Sequence, residues 1–143
     1  MKLQVTKSKD KICDHYGILY LVYFELGGKP LVKIGVTTRK IEDRVSEILI
    51  SIFKKYREFP YCRPKKFQKT SDMFDKEATL HQFFSAYRYT PDKVFSGSTE
   101  FFDLPIDIAV AAYEQLLAGE TLDASFLPPE GGQEQSTDVA RRA

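Results

Sequence analysis

The sequence predicts a single α/β domain in which a small, mainly antiparallel three-stranded sheet is flanked by helices. Two segments rich in aliphatic and aromatic residues, 16–26 and 31–36, are separated by a Gly-Gly-Lys-Pro turn at 27–30, which indicates an antiparallel hairpin. Apolar residues then recur at helical spacing in three later segments. A length of 143 residues suits one domain with its own core better than two.

The helices and the third strand are located by apolar periodicity and by proline. Apolar spacing predicts helices at about 38–53, 73–87 and 105–118. Pro105 suits the first turn of the last of these helices. Two prolines between the first two helices exclude a continuous helix there, and residues 65–70 are predicted to form the third strand, at the edge of the sheet.

Composition divides the chain into an N-terminal extension (1–15), the domain (16–119) and an acidic flexible tail (120–143). The tail carries five acidic residues against two basic ones, and it offers little apolar surface to pack. No apolar run reaches the roughly 18 residues of a membrane span, and the first residues lack the apolar core of a secretory signal. We therefore expect a cytoplasmic protein without membrane contact. Cys13 and Cys62 are isolated, which predicts neither a zinc site nor a disulfide.

Positive charge is concentrated in residues 54–69, which we call the basic segment. It contains seven basic side chains against one acidic side chain, Glu58. The basic side chains are those of Lys54, Lys55, Arg57, Arg63, Lys65, Lys66 and Lys69. Four aromatic residues lie among them: Tyr56, Phe59, Tyr61 and Phe67. This mixture is typical of a surface that contacts phosphates and stacks on bases, so DNA is the expected partner. The alternative is a solvated loop whose lysines aid solubility.

Two short motifs and two single residues follow one another in a characteristic order: Gly17-Ile18-Leu19-Tyr20, Lys33-Ile34-Gly35, Arg44 and Glu77. The motifs lie on the two strands of the predicted hairpin. The arginine lies on the first helix and the glutamate on the second. Each motif alone is common in proteins, so the information lies in their order and context.

In this order the residues resemble the GIY-YIG nuclease superfamily over about residues 16–104. The resemblance is closest to the bacteriophage-type branch, whose second motif reads Lys-Ile-Gly and whose domain closes with a Glu-aromatic-Phe segment. Here those are Lys33-Ile34-Gly35 and Glu100-Phe101-Phe102. That branch also places a histidine four residues after the helix glutamate, as His81 follows Glu77.

The resemblance implies a metal-dependent endonuclease that hydrolyses DNA phosphodiester bonds. Tyr20 would accept the proton of the attacking water, and Glu77 would hold one divalent metal, Mg²⁺ or Mn²⁺. Arg44 would pair with a phosphate oxygen, and Lys33 would stand near the tyrosine. A free tyrosine has a pKa near 10, so nearby cations are needed for it to act as a base at neutral pH.

Each assignment has an alternative. Tyr20 could be a core residue of its strand, and Arg44 could form a surface ion pair with acidic neighbours. Glu77 could be an ordinary surface carboxylate paired with a basic neighbour. Arg39 is a second candidate for the phosphate contact. His81 could contact phosphate, orient Glu77, or be a satisfied half-buried histidine.

One departure from the family pattern favours a different function. Many members carry a His or Tyr one turn after the helix arginine, where this chain has Ile48. A non-catalytic DNA-binding module with the same fold is therefore the second hypothesis, and an adaptor whose basic segment meets an acidic protein is the third. Since we expect no appended recognition domain, sequence specificity would come from the basic segment, a homodimer or a partner protein.

Overall fold

Residues 16–127, the part of the chain that the computed structural model describes, form an antiparallel sheet with three α-helices. The strands are Gly17–Leu26 (β1), Lys29–Thr37 (β2), Tyr61–Thr70 (β3), Arg88–Tyr89 (β4) and Phe101–Phe102 (β5). The helices are Ile41–Tyr56 (α1), Met73–Phe83 (α2) and Ile106–Leu117 (α3). The strands lie in the order β3-β1-β2-β5-β4. The predicted α/β class is confirmed.

The β1–β2 hairpin forms as predicted, because its turn residues, 27–28, are both glycines with positive φ (61° and 82°). Its register sets Tyr20 opposite Gly35 and Val22 opposite Lys33. Directly opposite residues of an antiparallel pair point to the same face of the sheet. The hairpin therefore brings both predicted motifs to one face.

The sheet has five strands where three were expected. β5 pairs with β2, and β4 pairs with β5. Each of these strands is two residues long, which is too short to show a two-residue period in the sequence. β3 begins at Tyr61 and includes Pro64. Proline is tolerated there because β3 is an edge strand and its register with β1 shifts at this point.

The sheet carries a hydrophobic core on each face, and alternation along β1 separates the two. Tyr20, Val22 and Phe24 point to the side that we call the α1 face, while Leu19 and Leu21 point to the α2–α3 face. On the α1 face the packed helix residues are Ile41, Val45, Ile48 and Ile52. On the α2–α3 face they are Leu80, Ala109, Ala112 and Tyr113.

Two of the helices end differently from the prediction. α1 continues to Tyr56 and ends where Arg57 adopts the left-handed conformation (φ 62°). The segment predicted as one helix at 73–87 is helical to Phe83 and then forms a short 3₁₀ helix, Ser85–Tyr87. A 3₁₀ turn is a common way to tighten a helix end.

The ends of the chain are described only in part. The predicted N-terminal extension and residues 128–143 of the predicted tail lie outside the described residues. Within residues 120–127, Leu122 and Leu127 pack against the core of the α2–α3 face. Among the described helices, none is long and apolar enough to cross a membrane.

Tyr113 ties α3 to two strands of the sheet. Its buried hydroxyl donates to the Leu19 carbonyl (2.6 Å) and accepts from the Gln68 amide (3.0 Å). We expect Tyr113→Phe to lower the free energy of unfolding by about 1–3 kcal/mol, because both backbone groups lose this partner. Urea denaturation measures the loss. Tyr23→Phe, which removes a hydroxyl bonded to the exposed Glu25, is the control, and an equal loss in both variants would contradict the prediction.

Candidate active site

Tyr20 lies at the centre of the candidate site, with its phenol across the bare backbone of Gly35. Tyr20 is fully buried. A Cβ at position 35 would lie 2.6 Å from Tyr20 Oη and 3.1 Å from Glu100 Oε1. No larger residue fits at position 35 unless the phenol moves. The phenol oxygen and the Glu100 carboxylate thus approach the same point above β2.

Two cations flank the phenol. Arg44 Nε donates to Tyr20 Oη (3.3 Å), and Lys33 Nζ lies 5.3 Å from the centroid of the Tyr20 ring. Lys33 is fully buried. Its buried charge is stabilised because its ammonium group donates to the Glu100 carboxylate. The structure therefore brings three of the four predicted catalytic residues into contact on the α1 face.

The fourth, Glu77, approaches this group from the α2–α3 face. β5 pairs with β2 only at Val32 and Lys33. At the next residue of β2, Ile34, the neighbour is α2. His81 Nε2 lies 2.9 Å from the Ile34 carbonyl oxygen. Glu77, one turn earlier on α2, thereby lies beside Glu100. Glu77 joins the other three residues through Glu100 and not through direct contact with the phenol.

Glu77 and Glu100 form a carboxyl pair. Burial of Glu77, together with the charge and hydrogen bond of Glu100, raises the pKa of Glu77 to about 7, although Lys33 opposes the shift. Glu77 Oε2 is buried and has no hydrogen-bond partner among the described residues. His81 Nε2, at 3.8 Å, is too far away to be one. Near neutral pH the Glu77 carboxyl is therefore close to the midpoint of its titration.

His81 anchors α2 to β2. A carbonyl oxygen can only accept, so Nε2 must carry the hydrogen in its bond to Ile34. Burial lowers the pKa of His81, which favours the neutral ring, and the ring packs 5.2 Å from that of Phe102. This geometry matches a half-buried histidine whose ring N–H already has a hydrogen-bond acceptor. A phosphate contact by His81 stays a prediction.

Loop residues that the sequence analysis did not single out hold the two cations in place. Arg44 Nη1 donates to Ser96 Oγ (2.9 Å), and the Ser96 amide donates to Ser51 Oγ (2.8 Å). Gly97 has a φ of 81°, and a Cβ there would lie 2.5 Å from Lys33 Cε. The sequence signal for this loop is a Gly-Ser pair before the Glu-Phe-Phe segment, which predicts a turn but no function.

Arg39 and Arg44 share one carboxylate oxygen. Arg39 Nη2 lies 2.5 Å and Arg44 Nη1 lies 2.6 Å from Glu47 Oε1. The hydrogen bond from Arg44, and then that from Arg39, lowers the pKa of the exposed Glu47. Both candidate arginines thus converge on a single anion, which we call the Glu47 clamp.

The basic segment (54–69) does not form one surface. Its members are divided between the end of α1, with Lys54, Lys55 and Arg57, and β3, with Arg63, Lys65, Lys66 and Lys69. Lys66 pairs with Glu114 of α3 (2.5 Å) and so belongs to the α2–α3 face. Lys69 lies opposite Ile18, on the α1 face. Strand alternation thus places neighbouring lysines on opposite sides of the sheet.

A family model described as the T5orf172 domain matches residues 17–117. The match spans every strand and α-helix named above and all four predicted catalytic residues. No curated protein and no solved structure matches the chain significantly.

We expect Glu77→Gln to stabilise the protein at alkaline pH but not at acidic pH. Folding raises the pKa of this carboxyl from 4.5 to about 7, so ionisation opposes folding. The free-energy cost of ionising Glu77 in the folded state is absent below about pH 4.5 and complete above about pH 7. The variant should exceed wild type in free energy of unfolding by on the order of 1–3 kcal/mol at about pH 8 and match it at about pH 4.

Thermal unfolding of both proteins across this pH range measures the difference. Glu42→Gln, which neutralises an exposed carboxylate of α1, is the matched control. A gain for Glu77→Gln that is the same at every pH would show that its cause is not the ionisation of the buried carboxyl.

Proposed function

The chain belongs to the T5orf172 domain family, a bacteriophage-associated domain of the GIY-YIG/HNH-like endonuclease type, and we propose that it is a metal-dependent endonuclease acting on DNA. One observation carries the proposal. Tyr20, Lys33 and Arg44, from three separate elements, meet above Gly35, and Glu77 adjoins them through Glu100. A structural core has no need for two cations against one buried phenol.

In the proposed reaction, water attacks the phosphorus atom and transfers its proton to Tyr20 Oη, which accepts it in the phenolate form and returns it to solvent after the reaction. The bond from phosphorus to the leaving oxygen then breaks, and that oxygen takes a proton from solvent. Arg44 would donate hydrogen bonds to a non-bridging phosphate oxygen, where negative charge develops. Lys33 would stand as the second cation beside the phenol.

We propose that Glu77 holds the metal, Mg²⁺ or Mn²⁺. Its unpartnered buried oxygen and its closeness to the Glu100 carboxylate suit a hard cation. Within residues 16–127 no three His, Cys, Asp or Glu side chains form a metal cluster. Mg²⁺ commonly takes one or two carboxylates and completes its shell with water and substrate phosphate. When bound, the metal would neutralise charge on the scissile phosphate.

The Glu47 clamp supports a specific binding mode for the phosphate. Two guanidinium groups that donate to one anionic oxygen reproduce the way in which arginines hold phosphate. Glu47 is exposed and lies on the surface of α1, so it can leave without disturbing the core. We infer that a DNA phosphate takes the place of the Glu47 carboxylate between Arg39 and Arg44.

A second candidate function is a DNA-binding module that does not cut. Ile48 is fully buried in the core of the α1 face, so it supplies no hydrogen bond where many family members have a His or Tyr. Tyr20 is fully buried too, and water reaches its hydroxyl only if the groups above it move. Binding through the Glu47 clamp and the basic segment requires neither residue.

We expect Tyr20→Phe and Glu77→Gln each to reduce DNA cleavage by about 10²-fold or more, because one removes the proton acceptor and the other the metal ligand. DNA binding should stay close to that of wild type, since the cationic surface is unchanged. Plasmid nicking with Mg²⁺ or Mn²⁺ measures cleavage, and a gel-shift assay measures binding. Tyr23→Phe, on the same strand, is the matched control.

Cleavage that survives both substitutions would overturn the proposed roles. If wild type binds DNA but cuts no supercoiled, linear, branched or single-stranded substrate, the binding module becomes the better conclusion.

We expect Glu47→Gln to raise DNA affinity about three- to tenfold at low salt, because it frees Arg39 and Arg44 for phosphate. Since a phosphate enters the clamp in wild type as well, the number of phosphate contacts stays the same, and the slope of log affinity against log salt should change by less than the roughly 0.9 expected for one contact. Glu114→Gln changes net charge equally and frees Lys66 on the opposite face, so it is the matched control. If DNA affinity rose equally in both variants, the cause would be the change in net charge and not a phosphate site in the Glu47 clamp.

A further inference from the structure

We propose that Phe67, Tyr16 and Lys69 form a stacking platform for an unpaired base beside the candidate active site. The inference rests on the proposed function and deepens it, because it names the form of DNA that the site takes. Such DNA has at least one unstacked nucleotide next to the scissile phosphate, as in a single strand or at a branch.

Phe67 is the cross-strand neighbour of Tyr20. The two residues are register partners in the β1–β3 ladder, so their side chains leave the sheet on the same face with Cβ atoms about 5 Å apart. They differ in exposure, since Tyr20 is fully buried and Phe67 is 50% exposed. The cross-strand neighbour of the buried Tyr20 is thus an exposed aromatic residue.

Tyr16 and Lys69 extend this surface along the same face. Tyr16 is 54% exposed, and Lys69 Nζ lies 5.8 Å from the centroid of its ring. Lys69 is the register partner of Ile18, whose side chain packs on the α1 face. The surface therefore offers two aromatic rings and a cation, which is the combination used to stack bases while contacting the backbone.

Phe67 differs from the other exposed aromatic rings near the basic segment. Phe59 stacks on Phe53 with centroids 4.6 Å apart, and Tyr61 packs edge-on against Tyr23. Within the described part of the chain, Phe67 has no such ring partner. A ring left half-exposed and unstacked on a basic edge strand is suited to a base.

Positive charge on this strand favours nucleic acid over an apolar protein partner. Lys65 and Lys69 are exposed, and neither forms an ion pair with another residue of 16–127. These charges would attract phosphates, whereas an apolar partner would have to desolvate them. A duplex keeps its bases stacked on one another, so the ring can be used only where a base is unpaired.

The test compares the affinity of the full chain for a single-stranded oligonucleotide and for the duplex of the same sequence, at one salt concentration. We expect Phe67→Ala to weaken single-strand binding roughly tenfold and to change duplex binding by less than about twofold. Phe67→Trp should bind single strands as well as wild type, because the indole also stacks. Phe59→Ala, which removes a ring that is 60% exposed, is the matched control.

Several results would overturn the inference. Equal losses on single strand and duplex, an equal loss for Phe59→Ala, or a loss for Phe67→Trp would each show that stacking at Phe67 is not the cause. If wild type binds the duplex while Phe67→Ala changes nothing, the inference alone fails. If wild type binds neither form of DNA, the proposed function fails and the inference fails with it.

Discussion

The candidate site depends on the glycine at position 35, which has no side chain. Because Gly35 presents only backbone, the phenol of Tyr20 can lie across β2 within reach of Arg44, and Glu100 can reach the same point. Gly97 makes the matching space on the other side of Lys33. Two small residues thus create the room in which long side chains meet inside a domain that is otherwise densely packed.

Burying charged groups in this cluster carries a cost for folding. Lys33 is buried with its charge and needs Glu100 as its partner, since an unpaired buried charge costs several kcal/mol. Glu100 in turn faces Glu77, whose ionisation is disfavoured by burial. Cores built for stability alone use apolar groups in such positions, so the arrangement is typical of a site kept for function.

Much of the fold and of the site could be predicted because it is periodic or local. The hairpin shows dense β-forming residues around a glycine turn, and the helices show apolar residues at helical spacing. Each of these signals is carried by residues that lie close together in the sequence. The pairing of β4 and β5 into the sheet could not be predicted, because two-residue strands exist only through their partners. Ser96 and Gly97 gave no signal of function beyond a turn, since their role depends on contacts with Arg44 and Lys33, which lie far away in sequence.

The basic segment shows a second limit of the sequence. The concentration of charge predicts one surface, but a strand sends successive side chains to opposite faces. Lys66 therefore pairs with Glu114 on one side while Lys69 lies on the other. The extra residue at the shift between β1 and β3 changes which side chains share a face, and bulges leave little trace in composition.

The carboxyl and phenol halves of the site belong to different hydrophobic cores. Tyr20 packs with α1 on one face, whereas Glu77 is carried by α2, which packs on the other. A small shift of α2 against the sheet would change the spacing between Glu77 and Glu100 while leaving the contact between Tyr20 and Arg44 intact. In the proposed enzyme, changes in one core would therefore tune metal affinity and changes in the other would tune phosphate recognition, so evolution could adjust the two properties independently.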